Sequence, residues 1–109
     1  MIGKELIAAS TEPLILSLLA KGESYGYAII QEIKERSGSK MEWTDGMLYP
    51  VLHRLEKKGL ITARWSAENG RKRKYYAIKK DGKTALEEHQ EHWNLVHSVM
   101  QSLRKENYV

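Results

Sequence analysis

The pattern of apolar and polar positions divides the chain into four helical stretches and one stretch with strand periodicity. The clearest helix is predicted from Thr44 to Gly59. Its apolar face follows the spacing i, i+3, i+4, i+7, and consists of Leu48, Val51, Leu52 and Leu55. Pro50 lies inside this span, where proline removes a hydrogen bond and clashes with a preceding carbonyl. Either the helix proper therefore starts near Tyr49, or its first turn is distorted.

Two shorter helices are predicted before this one. The first runs from Thr11 to Ala20, with Thr11 as its cap and Pro13 in its first turn, where a missing N–H costs little. Residues 1–10 add either an earlier helical turn or an arm. The second helix runs from Ser24, its predicted cap, to about Ser37, and Gly38 provides a stop signal.

After Gly59 the period of the pattern changes from 3.6 to 2, which indicates strands. The alternation covers residues 61–66 and 75–78, and Asn69-Gly70 between them is a strong turn signal. We therefore predict a β-hairpin with a basic tip. Asp81 is predicted to cap a last helix that reaches about Glu106. A helix of that length would extend about 39 Å, so part of it needs a partner beyond its own small domain.

Size and composition indicate a soluble globular protein without disulfide bonds. The chain has 109 residues, of which 41% are hydrophobic and 29% charged, and it has no cysteine. No apolar run approaches the roughly 20 residues that span a bilayer, and the N-terminus lacks the pattern of a signal peptide. We expect a cytoplasmic protein that does not associate with membranes. No motif of a nucleophile, phosphate-binding loop or metal triad supports an enzyme.

The positive charge is concentrated in one quarter of the sequence. Residues 54–80 contain ten Lys/Arg and two Glu, which gives this segment a net charge of +8, whereas the rest of the chain carries −4. Such asymmetry favours a polyanionic partner.

The order helix, helix, helix, hairpin is that of a winged helix-turn-helix, a mainly α fold with a small β-hairpin. Residues 1–80 would form this DNA-binding domain, and residues 81–109 a C-terminal dimerisation helix, together one compact unit. In this fold the third helix enters the major groove and the hairpin, or wing, contacts phosphates. The candidate DNA-binding residues are Thr44, Tyr49, His53, Lys57, Lys58, Arg71, Lys72, Arg73 and Lys74.

Several neighbouring side chains allow more than one interpretation. Tyr49 could pack against the first helix rather than contact DNA, and His53 could simply be solvated. Arg54 could pair with Glu56 or with the second helix. Of the two tyrosines in Tyr25-Gly26-Tyr27, we expect Tyr27 to lie in the core.

The last helix carries an apolar stripe with a seven-residue repeat. An a/d stripe over three heptads predicts pairing with another helix, most simply in a two-fold homodimer. The predicted dimerisation residues are Leu86, His89, Trp93, Val96, Met100 and Leu103. Trp93 is also a candidate for stacking a flat ligand in the seam. His89, His92 and His97 do not converge on one helix face, so we expect no metal and no cofactor.

Three stretches of this sequence together resemble the PadR-like transcriptional regulators. They are Gly46–Ile61, Tyr25-Gly26-Tyr27, and the wing segment Gly70–Tyr76 with its basic residues and paired tyrosines. The resemblance covers about residues 12–86, and one departure from it is Lys79-Lys80-Asp81-Gly82, where the family more often has a threonine. The resemblance implies a dimeric repressor of the short branch with one C-terminal helix. It also implies double-stranded operator DNA with two half-sites and, in some members, a small aromatic ligand at the dimer interface.

Two other functions remain open from the residues alone. A winged helix can bind proteins without sequence-specific DNA binding, and the C-terminal stripe could then recruit a different helix. The basic segment could instead bind RNA or an anionic membrane surface. Four consecutive basic residues at the wing, Arg71–Lys74, favour the DNA-binding interpretation.

Overall fold

The computed structural model of the protein describes residues 3–107. It contains four helices and a three-stranded antiparallel sheet, so the predicted mainly α winged helix-turn-helix with a long C-terminal helix is confirmed. In chain order the elements are α1 (Lys4–Ala20), β1 (Ser24–Tyr25), α2 (Gly26–Arg36), α3 (Asp45–Lys57), β2 (Ile61–Glu68), β3 (Arg71–Ile78) and α4 (Lys80–Asn107).

The core lies where the apolar faces of α1, α2 and α3 meet one face of the sheet. The predicted apolar face of α3 is confirmed, because its four residues are all buried. Ile61 and Tyr76 close the core from the sheet, and Trp43 fills it from the segment before α3. Leu86 of α4 also belongs to this core.

The predicted hairpin is confirmed. The sheet to which it belongs has a third strand, β1, that the sequence did not predict. β2 and β3 are paired along their length, from Ile61 opposite Ile78 to Glu68 opposite Arg71, and a two-residue turn joins them. Asn69 and Gly70 both have positive φ, 53° and 76°, as a type I′ turn requires. β1 pairs with the other edge of β3, with Ser24 opposite Tyr76. We refer to the β2–β3 hairpin as the wing.

The predicted start of the first helix at Thr11 is wrong. α1 begins at Lys4, so residues 4–10 form helical turns. Thr11 is buried inside this helix, and its hydroxyl donates a 2.6 Å hydrogen bond to the Ile7 carbonyl rather than capping an end. Pro13 is also inside the helix. A proline in mid-helix costs one backbone hydrogen bond, and the burial of Pro13 together with α1's core residues offsets that cost.

The other predicted helix starts are partly correct. Ser24 lies in β1 and is not a cap, because its backbone pairs with β3 and α2 begins only at Gly26. Thr44 is confirmed as the cap of α3, since its Oγ1 accepts a 3.3 Å hydrogen bond from the Met47 N–H. α3 includes Pro50, so a start near Tyr49 is excluded. Asp81 lies within the first turn of α4, whose helix begins at Lys80.

The long helix α4 is anchored at its beginning and extends beyond the domain. Its buried residues are Gly82 and Leu86, near its start, and it packs there against α1. Residues 90–107 are exposed, and the molecule measures 62 × 30 × 21 Å. Within residues 3–107, none of the helices combines the length and the hydropathy of a membrane-spanning segment.

Candidate nucleic-acid interface

A basic cleft with aromatic walls separates α3 from the wing. Its volume is about 850 Å³. Six of the nine predicted DNA-binding residues line it: Tyr49 and His53 from α3, and Arg71, Lys72, Arg73 and Lys74 from the wing. Thr44, Lys57 and Lys58 lie outside the cleft lining. The cleft therefore brings together the two elements that sequence reasoning assigned to DNA.

The side of α3 that faces the cleft is opposite to the buried face of this helix. Tyr49, His53 and Lys57 are four residues apart, so they lie along one side of the helix. Tyr49 is 36% exposed, and His53 and Lys57 are exposed. Thr44 is exposed as well, although its hydroxyl is already engaged as the cap of the helix.

The last turn of α3 is tied to α1 by ion pairs. Arg54 Nη2 lies 3.2 Å from Glu12 Oε2, and Lys58 Nζ lies 3.4 Å from Glu12 Oε1. Arg54 thus pairs with the first helix rather than with Glu56 or the second helix. Lys58 is partly engaged within the chain, which makes it a weaker candidate for DNA than Lys57.

Strand alternation distributes the four wing cations over both faces of β3. Lys72 and Lys74 lie on the face of the core residue Tyr76, and Arg71 and Arg73 lie on the opposite face. Lys74 Nζ sits 5.9 Å from the ring centre of Trp65 and 5.6 Å from that of Tyr76. Such contacts hold an ammonium group near aromatic faces.

A stack of arginines and tyrosines covers the other face of the sheet. The Arg73 guanidinium lies 4.4 Å from the Tyr25 ring centre, and that of Arg64 lies 5.0 Å from Tyr75. The Tyr25 and Tyr75 rings meet edge to face, 5.4 Å apart. This alternation of cations and rings joins all three strands, so it fixes the wing relative to the start of α2.

Glu23 completes this stack at its outer end. Arg64 Nε donates a 3.1 Å hydrogen bond to Glu23 Oε2, and Arg64 Nη2 donates to Oε1. These bonds hold the pKa of Glu23 below its usual value and raise the pKa of Arg64. The pair anchors β2 to the segment that precedes β1.

The cleft also contains residues that sequence reasoning missed. The prediction that Tyr27 lies in the core is wrong, because its side chain is 67% exposed and lines the cleft. Trp65, 65% exposed, lines it too. Trp65 stands opposite Lys74 in the hairpin register. Because the cross-strand neighbour of Trp65 is the charged residue Lys74, the hairpin register indicates that the core ends before Trp65.

Comparison with known proteins identifies the family of this chain. The profile of the family described as "Transcriptional regulator PadR-like family" matches residues 15–88, two thirds of the chain. A transcriptional regulator of Mycobacterium tuberculosis is 35% identical over 85 residues, covering 78% of this chain and 77% of its own. The chain belongs to the PadR-like family of transcriptional regulators.

Further regulators resemble the chain in fold or in sequence. The structure of a transcriptional regulator from Clostridium thermocellum superposes with a TM-score of 0.83 at 31% identity, covering 91% of this chain and 97% of that one. The negative transcriptional regulator PadR of Bacillus subtilis is 30% identical over 87% of this chain, which spans 50% of that longer protein. These relatives are named transcriptional regulators, and the family membership makes this chain a DNA-binding regulator of the PadR-like type.

The C-terminal helix of this PadR-like regulator places the predicted dimerisation residues in two environments. Leu86 is buried in the chain's own core at 7% exposure, and His89 is half-buried. The four other residues are 42–64% exposed: Trp93, Val96, Met100 and Leu103. Leu95 and Val99 are exposed beside them.

An apolar groove lies between α1 and the base of this stripe. It has a volume of about 440 Å³ and includes Leu6, Leu14 and Trp93 in its lining. Its few polar groups come mainly from Gln90, Asn94 and serines of α1. Among residues 3–107, no three His, Cys, Asp or Glu side chains are grouped so as to hold a metal ion.

Proposed function

We propose that this protein is a homodimeric transcriptional repressor that binds an operator with two half-sites. In each copy α3 enters the major groove, and the wing follows the sugar-phosphate backbone. The observation that carries this proposal is the cleft itself, because Tyr49 and His53 of α3 and the four wing cations all line it, although the cations come from both faces of β3. A DNA backbone between recognition helix and wing would meet cations from one wall and polar side chains from the other.

The residues divide into two roles on chemical grounds. The cations Lys57, Lys58 and Arg71–Lys74 suit phosphates, whose contacts supply affinity and salt dependence without reading sequence. Thr44, Tyr49 and His53 lie on or beside the exposed side of α3, where polar groups can reach base edges in the major groove. Trp65 and Tyr27 offer apolar faces to sugars from the cleft.

The proposal of a homodimer is supported by the unpartnered stripe on α4. Trp93, Val96, Met100 and Leu103 project from a helix that leaves its own domain, and exposed apolar stripes of this length mark helix–helix interfaces. Leu86 is already used by the core, so the interface would centre on the residues from His89 onward. Two-fold symmetry would then present two recognition helices to two half-sites about one turn of DNA apart.

Repression and ligand control are the most specific parts of the proposal. The relative from Bacillus subtilis is named a negative transcriptional regulator, which favours repression here. The groove between α1 and α4 is apolar and contains Trp93, so a small aromatic ligand could stack there. Because this groove lies at the proposed seam, an occupant would change the angle between the two DNA-binding domains and misplace α3.

The test is binding to a labelled duplex from the protein's own upstream region, followed by fluorescence anisotropy over a salt series. A scrambled duplex, single-stranded RNA and anionic vesicles run beside it. The wing variant R71A/K72A removes two cations from each copy of the dimer. It should weaken binding to every duplex and reduce the slope of log affinity against log salt by about four, roughly one for each phosphate that is no longer neutralised. The control K105A changes a cation near the far end of α4 and should leave the slope unchanged.

Each result separates the candidate functions. Preference for the upstream duplex with a wing-dependent slope supports the repressor. Equal binding to both duplexes means that the operator lies elsewhere or that sequence is not read. Failure to bind any duplex at low salt overturns the proposal and favours a protein-interaction module, whereas preference for RNA or vesicles favours those partners.

A further inference from the structure

Gly26 and Tyr49 are in van der Waals contact across the floor of the cleft. Gly26 is the first residue of α2, it is buried, and its Cα faces the phenol ring of Tyr49 from α3. A Cβ built on Gly26 would collide with Tyr49 Oη and would lie 2.9 Å from Tyr49 Cζ. Neither atom could remain where it is if residue 26 carried a side chain.

This glycine is not required by the backbone. The glycines with positive φ are Gly22, Gly38, Gly59 and Gly70, and Gly26 is not among them. The first turn of a helix accepts alanine readily, so backbone conformation gives no reason for glycine here. The three atoms nearest to an added methyl group all belong to one side chain, Tyr49.

We infer that Gly26 is a positioning residue for DNA binding, which leaves room for the Tyr49 phenol to lie against α2 and to face the cleft. This inference rests on the proposed DNA-binding function and identifies a residue that determines the geometry of the recognition helix. Tyr76 lines the same part of the cleft. Burial, with Tyr49 and Glu56 nearby, raises the pKa of Tyr76, which agrees with a phenol of Tyr49 held close by.

The expected effect of G26A is a displaced Tyr49 in a folded protein. Tyr49 is 36% exposed, so its ring can rotate away from an added methyl group towards solvent. The phenol would then project into the space that DNA occupies, or would no longer touch DNA. We expect affinity of the dimer for the operator duplex to fall about ten- to a hundredfold, which corresponds to the removal of one hydrogen bond or ring contact, worth about three- to tenfold, from each copy.

A double-mutant cycle separates positioning from a general structural role. The variants are G26A, Y49A and G26A/Y49A, measured by anisotropy on the operator duplex, with thermal unfolding recorded for each. If Gly26 acts through Tyr49, G26A weakens binding in the wild-type background and has no further effect when residue 49 is alanine. G46A provides a matched glycine change for the unfolding measurements, because a Cβ there meets nothing nearer than Thr44 Oγ1 at 4.0 Å.

Every outcome of the cycle decides the inference. The inference is overturned if the reductions in affinity caused by G26A and Y49A multiply in the double variant. It is also overturned if G26A binds DNA with unchanged affinity. Unfolding of both G26A and the double variant also overturns it, whereas unfolding of G26A alone, rescued by Y49A, supports the contact. Unchanged affinity of Y49A overturns the role of Tyr49 and hence the inference, yet leaves the proposed repressor to be judged by its wing variants.

Discussion

Lys58 at the end of α3 reaches back to Glu12 in α1, with its Nζ 3.4 Å from Glu12 Oε1. The same carboxylate accepts Arg54, and its side chain is only 22% exposed. One acidic group thus neutralises part of the positive charge that the recognition helix would offer to DNA. The ion pairs orient α3 on α1, and in the proposed complex they would compete with phosphate contacts.

The first prediction concerns this carboxylate. E12Q keeps the shape of the side chain but removes its charge, so Arg54 and Lys58 become available to phosphates. We expect DNA affinity to rise about two- to fivefold at low salt, the scale of one partly exposed ion pair, and less at high salt. Anisotropy with E12Q at two salt concentrations checks this, with E5Q as the control at the exposed start of α1.

The same ion pairs predict which of the neighbouring residues Lys57 and Lys58 contributes more to DNA binding. K57A should weaken DNA binding more than K58A, because Lys58 already has a partner within the chain. In the E12Q background the difference between K57A and K58A should shrink. Equal effects in the wild-type background would show that Glu12 releases Lys58 when DNA binds.

The second prediction concerns the proposed dimer. V96E/M100E places two charges in the exposed stripe of α4, and burying them between helices would be unfavourable. We expect a folded monomer in sedimentation velocity, with weaker operator binding because the two half-sites are no longer linked. Q101E adds a charge to the same helix outside the stripe and should remain dimeric. A wild-type monomer at micromolar concentration would contradict the dimer itself.

The third prediction follows from the lowered pKa of Glu23. Because Arg64 lowers this pKa in the folded chain, the ionised carboxylate contributes its full stability above the unfolded pKa, ordinarily 4.5. That contribution is lost as the pH falls through the lowered value. E23Q should therefore reduce the decrease in Tm between about pH 5 and pH 3. E87Q on the exposed surface of α4 serves as the control, and an unchanged decrease in E23Q would contradict the prediction.

The fourth prediction concerns the junction of α4 with the wing. A Cβ on Gly82 would collide with the Leu60 carbonyl oxygen and lie 2.8 Å from Ile78 Cγ1. Here the obstruction is backbone, which cannot rotate away. We expect G82A to lower the free energy of unfolding by about 1–3 kcal/mol, as overpacking does. The control G46A should raise it by a few tenths to about 1 kcal/mol. Equal stability of G82A and wild type in urea titrations would show that α4 shifts freely.

The elements that the sequence predicted best are those in which one local signal has one physical meaning. The spacing of the apolar face of α3 requires a helix, and Asn69-Gly70 satisfies the positive φ values of a two-residue turn. Thr44 was correctly predicted as a cap because its side chain acts on a backbone N–H only three residues away. None of these inferences needs information about distant residues.

The incorrect predictions depended on tertiary contacts. Pro13 normally favours the first turn of a helix, yet α1 continues through it because its neighbours bury their side chains in the core. Ser24 looked like a cap, but its backbone pairs with Tyr76, a residue 52 positions later. Tyr27 is exposed because α2 turns it towards the wing rather than towards α1. The contact of Gly26 with Tyr49 likewise joins two helices, so no pattern in the sequence around either residue predicts it.

The three tryptophans lie in separate parts of the molecule, so the fluorescence of each can report on a different process. Trp43 is 5% exposed in the core, Trp65 stands in the wing, and Trp93 stands at the apolar groove on α4. Indole emission depends on the polarity around each ring, so unfolding changes the signal of Trp43, whereas DNA and a second chain would change those of Trp65 and Trp93. With two of the three replaced by phenylalanine, each variant would report folding, DNA binding or assembly without an attached dye.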